Sequence, residues 1–110
     1  MKALLVSTVV CAAFGLVTPA IAADAAAAQA LLKKNECTKC HAVDKEKKGP
    51  SYKKVAAKYK GKADAVDTLT KSITSGAKVK MSDGSEEDHK IIATKDPKEI
   101  KNVVQWILAQ

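Results

Sequence analysis

The feature that most constrains this chain is a pair of cysteines, Cys37 and Cys40, separated by two residues and followed directly by His41. This C-x-x-C-H spacing is the attachment signature of a c-type haem. Both thiols can form thioethers with one edge of a macrocycle, and the adjacent histidine can then ligate the iron. The motif therefore predicts one covalent haem c, attached through Cys37 and Cys40, with His41 as an iron ligand.

Three other uses of the two cysteines are less consistent with the sequence. A thioredoxin-type redox pair needs a strand–helix–strand context, which the sequence does not predict here. A zinc site needs four ligands. Besides the two cysteines, the sequence offers only His41 and His89, and His89 is distant along the chain. A simple disulfide would leave His41 without a role. Haem attachment is therefore the favoured interpretation.

The N-terminus has the pattern of an export signal. Lys2 supplies a positive charge, residues 3–17 carry no charge, and a small-x-small site ends at Ala22. This arrangement is typical of a secretory signal peptide that is cleaved after its last small residue. The apolar run is also shorter than the roughly 20 residues that a membrane span needs.

We therefore expect residues 1–22 to be a signal peptide and residues 23–110 to form one domain in the periplasm. Because the signal is removed, no stable membrane insertion is expected. A domain of this size often needs a metal, a disulfide or another group to complete its core. The covalent haem would meet that need.

The charge is strongly basic, and it comes entirely from lysine. The chain has 19 lysines, no arginine and 12 acidic residues, which give a net charge of +7, and only 4% of its residues are aromatic. Nucleic-acid binders usually read phosphates and bases with arginine and stack bases on aromatic rings. We therefore expect no nucleic-acid partner.

The apolar periodicity predicts an all-α fold of three or four short helices. Helices are predicted over residues 25–34, 51–60 and 63–75, and a last helix begins at Pro97 behind an Asp96 cap. In the third helix Val66, Leu69, Thr70 and Ile73 are expected on one face. Residues 78–90 alternate between apolar and charged and contain an Asp-Gly turn pair, so they form either a small hairpin or an irregular loop.

Together these features resemble the class I c-type cytochromes of bacterial periplasms. The resemblance rests on the C-x-x-C-H motif, on Gly49-Pro50-Ser51-Tyr52 and on a C-terminal helix that contains Trp106. It covers nearly all of residues 23–110 and implies a small cytochrome c fold around one haem. It also implies that the carbonyl of Pro50 accepts a hydrogen bond from His41, which would fix the ring.

The resemblance further implies that the first and last helices cross. At that crossing we expect Ala27, Ala30 and Leu31 to meet Val103, Ile107 and Trp106.

The second axial ligand departs from the usual pattern of this family. The family commonly supplies a methionine followed by proline from the loop before the last helix, whereas Met81 is followed by Ser82. His89 lies 17 residues before Trp106 and Met81 lies 25 before it, and His89 fits the short family spacing better. We therefore favour ligation by His41 and His89, with Met81 as the alternative. The plain interpretations are a solvated histidine in an acidic loop and a gap-filling methionine.

The function implied is a one-electron carrier between redox partners of a respiratory or related chain. The sequence offers no carboxylate pair, nucleophile–base pair or phosphate-binding loop, so no enzyme is predicted. A haem sensor or a peroxidase-like protein with a detachable sixth ligand is the alternative.

The lysines offer a surface for partner recognition. Lys39 lies within the haem motif, and further lysines follow closely in the same segment. Such a surface would steer a monomeric carrier toward the acidic faces of its partners. The other lysines of this segment are Lys45, Lys47, Lys48, Lys53 and Lys54.

Overall fold

Nearly half of the described residues lie in helices. The computed structural model describes residues 22–110, in which four α-helices enclose a small core. A short 3-10 helix spans Cys37–Lys39, and an antiparallel two-stranded hairpin precedes the last helix. The elements are α1 (Ala25–Lys34), α2 (Tyr52–Tyr59), α3 (Ala65–Thr74), β1 (Lys78–Lys80), β2 (Glu86–Asp88) and α4 (Pro97–Leu108). The expected all-α fold with a small hairpin is confirmed.

Polar caps determine where three of the helices begin. The carboxylate of Asp24 accepts a hydrogen bond from the amide of Ala27 at the start of α1 (3.0 Å). Ser51 caps α2 in the same way through the amide of Lys54 (3.1 Å), and Asp96 caps α4. A cap side chain satisfies an amide that the first helical turn leaves without a partner. The predicted helix bounds therefore agree with the observed ones to within two residues.

Helix α4 is the centre of the fold, because α1, α2 and α3 all pack against it. Its residues Val103 and Val104 are fully buried, and Trp106 and Ile107 are nearly so. A helix that contacts three others needs a wide apolar stripe, which the spacing of these residues supplies. The rest of the core comes from Ala28, Leu32, Cys37, Tyr52, Leu69, Ile73 and Ile92.

The face that α1 presents to α4 differs from the prediction. Ala28 and Leu32 are buried, whereas Ala27 and Ala30 are exposed and Leu31 lies at the edge of the core. The helix is thus rotated by about one residue, or about 100°. Likewise Val66, which was expected on the buried face of α3, is 41% exposed.

A pair of long-range hydrogen bonds accompanies this orientation of α1. The side chain of Asn102 accepts a bond from the amide of Asp24 (2.7 Å) and donates one to its carbonyl (2.9 Å). This contact joins the N-terminus of α1 to the middle of α4.

The signal-peptide prediction for residues 1–22 lies almost wholly outside the described residues. Within the described part, no helix has the length and apolarity needed to span a membrane.

Replacing Asn102 with alanine should destabilise the fold. Two hydrogen bonds to Asp24 are lost, and the free energy of unfolding should fall by about 1–2 kcal/mol. Urea unfolding should show a lower midpoint with an unchanged slope. The exposed neighbour Lys101 provides the control, since Lys101→Ala should change stability by less than about 0.5 kcal/mol. Equal midpoints for the two variants would contradict this role of Asn102.

Candidate functional site

The segment after α1 turns sharply and brings the two cysteines and His41 together. The amides of Cys40 and His41 both donate to the carbonyl of Cys37, at 3.2 and 3.0 Å. Downstream, the amide of Gly49 donates to the carbonyl of Cys40 (2.8 Å). These bonds close residues 37–49 into a compact loop in which Cys37 is buried and Cys40 half-buried. Both thiols are free, so the simple disulfide is not formed.

The ring of His41 is held by a hydrogen bond to the backbone. Its Nδ1 lies 2.6 Å from the carbonyl oxygen of Pro50, which can only accept, so Nδ1–H is the donor. Burial lowers the pKa of His41, while the bond to Pro50 acts in the opposite direction. The neutral ring with its proton on Nδ1 leaves Nε2 with a free lone pair. This is the state in which histidine binds a metal.

Gly49 allows the His41 ring to lie against the loop. A Cβ atom at position 49 would be 2.6 Å from Cε1 of His41 and 3.1 Å from its Nδ1. Both atoms belong to a ring that is already fixed by Pro50. Position 49 therefore has no room for a side chain.

Tyr52 links the site to the hydrophobic core. Its ring stacks on His41, with centroids 5.4 Å apart, and meets the edge of Trp106 at the same distance. Burial raises the pKa of the Tyr52 hydroxyl well above its usual range. That hydroxyl is buried without a hydrogen-bond partner. An unpaired buried hydroxyl is uncommon and indicates a group outside the polypeptide or an ordered water.

The ring of His89 lies close to that of His41. The two ring centroids are 6.1 Å apart and the ring planes are inclined by 51°. His89 is half-buried, and its Nδ1 is buried without a hydrogen-bond partner. A histidine that is only solvated in an acidic loop would not have this environment.

Met81 lies at the other end of the same hairpin. The amide of Met81 donates to the carbonyl of Ser85 (2.8 Å) beside the turn. The amide of His89 donates to the carbonyl of Ala77 (3.0 Å) at the open end. These two points are four residues apart along the strand, about 13 Å for extended backbone. The folded hairpin therefore brings His89 to His41, and leaves Met81 at the turn.

The spacing of the two histidines fits one iron ion between them. Metal–imidazole bonds are about 2 Å long, so two rings that bind one metal from opposite sides have centroids on the order of 6 Å apart. Together with the unpaired Nδ1 of His89, this supports the fit of a haem to these residues. Within residues 22–110, no group of three or more His, Cys, Asp or Glu side chains is placed to hold a metal ion.

Comparisons with known proteins identify the family. The family model for cytochrome c matches residues 25–110. The cytochrome c-551 of Azotobacter vinelandii is 38% identical over 81 residues, which cover 71% of this chain and 90% of the relative. That of Pseudomonas denitrificans is 35% identical over 78 residues, covering 71% of this chain and 90% of the relative. The chain belongs to the cytochrome c family.

Solved cytochromes agree with this assignment. The class 1 cytochrome MtoD of Sideroxydans lithotrophicus ES-1 superposes with a TM-score of 0.77 at 58% identity, covering 80% of this chain and 97% of that one. The cytochrome c552 of Nitrosomonas europaea gives a TM-score of 0.59 at 31% identity, covering 74% and 96%. This cytochrome is thus a class I monohaem c-type cytochrome, a small electron carrier with one covalent haem and its iron.

Two contacts of the cytochrome site were not predicted from the sequence. The stacking of Tyr52 on His41 and the close approach of Gly49 both depend on where the folded loop places the ring. The signal available was the Gly49-Pro50-Ser51-Tyr52 segment, from which only the role of Pro50 was inferred. When the carbonyl of a proline accepts a hydrogen bond from a histidine ring, a glycine directly before that proline indicates that the ring lies close to the backbone there.

Replacing Gly49 with alanine should displace His41. The added Cβ would overlap a ring that Pro50 holds in place, and overpacking of this kind costs about 1–3 kcal/mol. We expect less bound haem per chain and a lower urea midpoint, measured by absorbance and by circular dichroism.

Gly61→Ala is the matched control for this substitution. A Cβ at Gly61 meets nothing within 4 Å, although its φ of +75° is unfavourable for alanine. Gly61→Ala should therefore lower the midpoint without loss of haem. An equal loss of haem in the two variants would contradict the close-contact role of Gly49.

Proposed function

We propose that this cytochrome is a periplasmic one-electron carrier whose haem is attached through Cys37 and Cys40 and whose iron is ligated by His41 and His89. The observation that carries the proposal is the proximity of the two imidazoles, whose ring centroids are 6.1 Å apart. The export-signal pattern of residues 1–22 supports the location.

Each residue of the site has a distinct role in this proposal. Cys37 and Cys40 anchor the haem covalently, so that it is not lost from an exported protein. Pro50 is a positioning residue, since its carbonyl orients His41 and increases the basicity of the ring. Tyr52 packs against the same ring and joins it to the core. When bound, the haem supplies the one-electron chemistry.

Ligation by two histidines has consequences for reactivity. If His41 and His89 both held the iron, the polypeptide would leave no free binding position on it for small molecules, which is consistent with electron transfer rather than catalysis. A methionine ligand raises the potential of a haem. A site with two histidines should therefore have a lower potential than a related site with histidine and methionine.

Spectra of two variants distinguish the ligands. The oxidised protein should lack a sulfur-to-iron charge-transfer band, and Met81→Ala should leave its spectrum unchanged. His89→Ala should open the site, and the reduced variant should bind carbon monoxide rapidly. A charge-transfer band that disappears only in Met81→Ala would overturn ligation by His89. Rapid carbon monoxide binding by the reduced parent protein would instead favour a sensor or peroxidase-like function.

The lysine surface is proposed to recruit acidic redox partners, but only part of it is free. Lys39 pairs with Glu36, Lys54 pairs with Glu46, and Lys47 donates to the carbonyl of Thr38. These contacts offset part of the lysine charge, while the side chains of Lys39 and Lys54 remain 69% and 64% exposed. The exposed lysines that remain in this segment are Lys45, Lys48 and Lys53.

Neutralising two of these free lysines should slow the encounter with an anionic oxidant. For Lys48→Gln with Lys53→Gln, the second-order rate of oxidation by hexacyanoferrate(III) should fall about threefold or more at low salt. The difference should diminish as ionic strength rises, because salt screens surface charge. Stopped-flow absorbance measures this rate.

The control removes the same charge elsewhere. Lys71→Gln with Lys101→Gln changes the net charge equally, on the exposed sides of α3 and α4. It should slow oxidation less than the first pair. Equal rates for the two double variants would show that net charge, and not this surface, steers the encounter.

A further inference from the structure

The open end of the hairpin before α4 lies directly beside His89. Backbone hydrogen bonds join the two. Three register pairs join β1 to β2, the last of them Lys78 with Asp88. The next amide, that of His89, donates to the carbonyl of Ala77 (3.0 Å). His89 therefore continues the ladder as the residue at the open end of the hairpin.

Gly76 forms the inner side of that open end. Its φ is +66°, a conformation that residues other than glycine rarely adopt. A Cβ built there would lie 3.6 Å from Cγ2 of Ile91 and 3.9 Å from the carbonyl oxygen of His89. The unusual backbone of Gly76 therefore lies next to the carbonyl of His89 and the side chain of Ile91.

The chain after His89 is also held. The amide of Ile92 donates to the carbonyl of Ile73 at the end of α3 (2.9 Å), and Ile92 is buried. The amide of Ala93 donates to the side chain of Asn35 just after α1 (2.9 Å). His89 is thus held through its own amide on one side, and on the other by a segment with two hydrogen bonds and one buried residue, Ile92.

We propose that Gly76 and Ala77 are positioning residues for the sixth ligand, so that the open end of the hairpin holds His89 toward His41. This inference rests on the proposed ligation by His89. The physical basis is that the ring of His89 can move away from the iron in two ways only. Either the backbone of His89 moves, or its side chain rotates within a partly buried site. A change in the turn at Gly76 should make that departure easier.

The test compares two glycines of the same hairpin. Gly76 and Gly84 both have positive φ, +66° and +87°, so alanine strains the backbone at either position. Gly76 borders His89, whereas Gly84 lies in the turn, where its amide donates to the carbonyl of Met81 (3.0 Å) and an added Cβ meets nothing within 4 Å. The strain is similar, but the neighbouring candidate ligand differs.

The measurement is the limiting rate at which carbon monoxide binds to the reduced, haem-loaded protein. At saturating carbon monoxide this rate equals the rate at which the sixth ligand leaves. Gly76→Ala should raise it by about 5- to 30-fold, the factor that corresponds to the strain of an alanine at positive φ. Gly84→Ala should change it by less than about twofold if its strain stays at the turn.

The possible outcomes separate this inference from the proposed function. A larger effect of Gly76→Ala supports the positioning role. Equal rates in the two variants, with no sulfur-to-iron band in the oxidised protein, would overturn the role of Gly76 and Ala77 but leave ligation by His89 intact. A larger effect of Gly84→Ala together with that band would identify Met81 as the ligand and overturn both.

A second substitution keeps the test valid if Gly76→Ala does not fold. Asparagine adopts positive φ more readily than alanine, so Gly76→Asn should fold and give an intermediate rate. Urea midpoints of all variants report general destabilisation separately. A Gly76→Asn rate above that of Gly84→Ala supports positioning, and a rate equal to the parent's contradicts it.

Discussion

The hydrogen bond from Nδ1 of His41 to the carbonyl of Pro50 is the interaction on which the geometry of the site depends. It fixes the ring plane and the tautomer together, and so determines the direction in which Nε2 can bind a metal. Gly49 must lack a side chain because the ring is there, and Tyr52 stacks on its face. The loop from Cys37 to Tyr52 thus serves to orient one imidazole.

The haem site and the hydrophobic core are continuous. Tyr52 contacts both His41 and Trp106, so the central helix α4 reaches the site through two aromatic rings. Cys37 belongs to the same buried cluster as Ala28 and Leu32 of α1. A domain this small buries a modest fraction of its surface, and a large apolar cofactor adds to what its few aromatic side chains supply. Haem binding and folding are therefore expected to be coupled.

Local sequence patterns predicted the parts of this structure that depend on local chemistry. Caps and apolar spacing located the helices, and the C-x-x-C-H motif with Gly49-Pro50 located the His41 loop. The patterns failed where distant residues decide the outcome. On α1, Ala28 faces the core in place of Ala27. The same helix is joined to α4 by the contact between Asp24 and Asn102, which are 78 positions apart. Spacing along the sequence favoured His89 over Met81 as a ligand. That the two residues lie at opposite ends of one hairpin could be seen only from the register of β1 and β2.

The full sequence has two histidines, which allows a direct test of the ligation. Selective labelling of histidine with nitrogen-15, followed by electron–nuclear double resonance of the oxidised protein, detects the histidine nitrogens that bind the iron. Signals from two ligating imidazoles are expected, and one of them should vanish in His89→Ala. A single imidazole signal that persists in His89→Ala would contradict ligation of the iron by both His41 and His89.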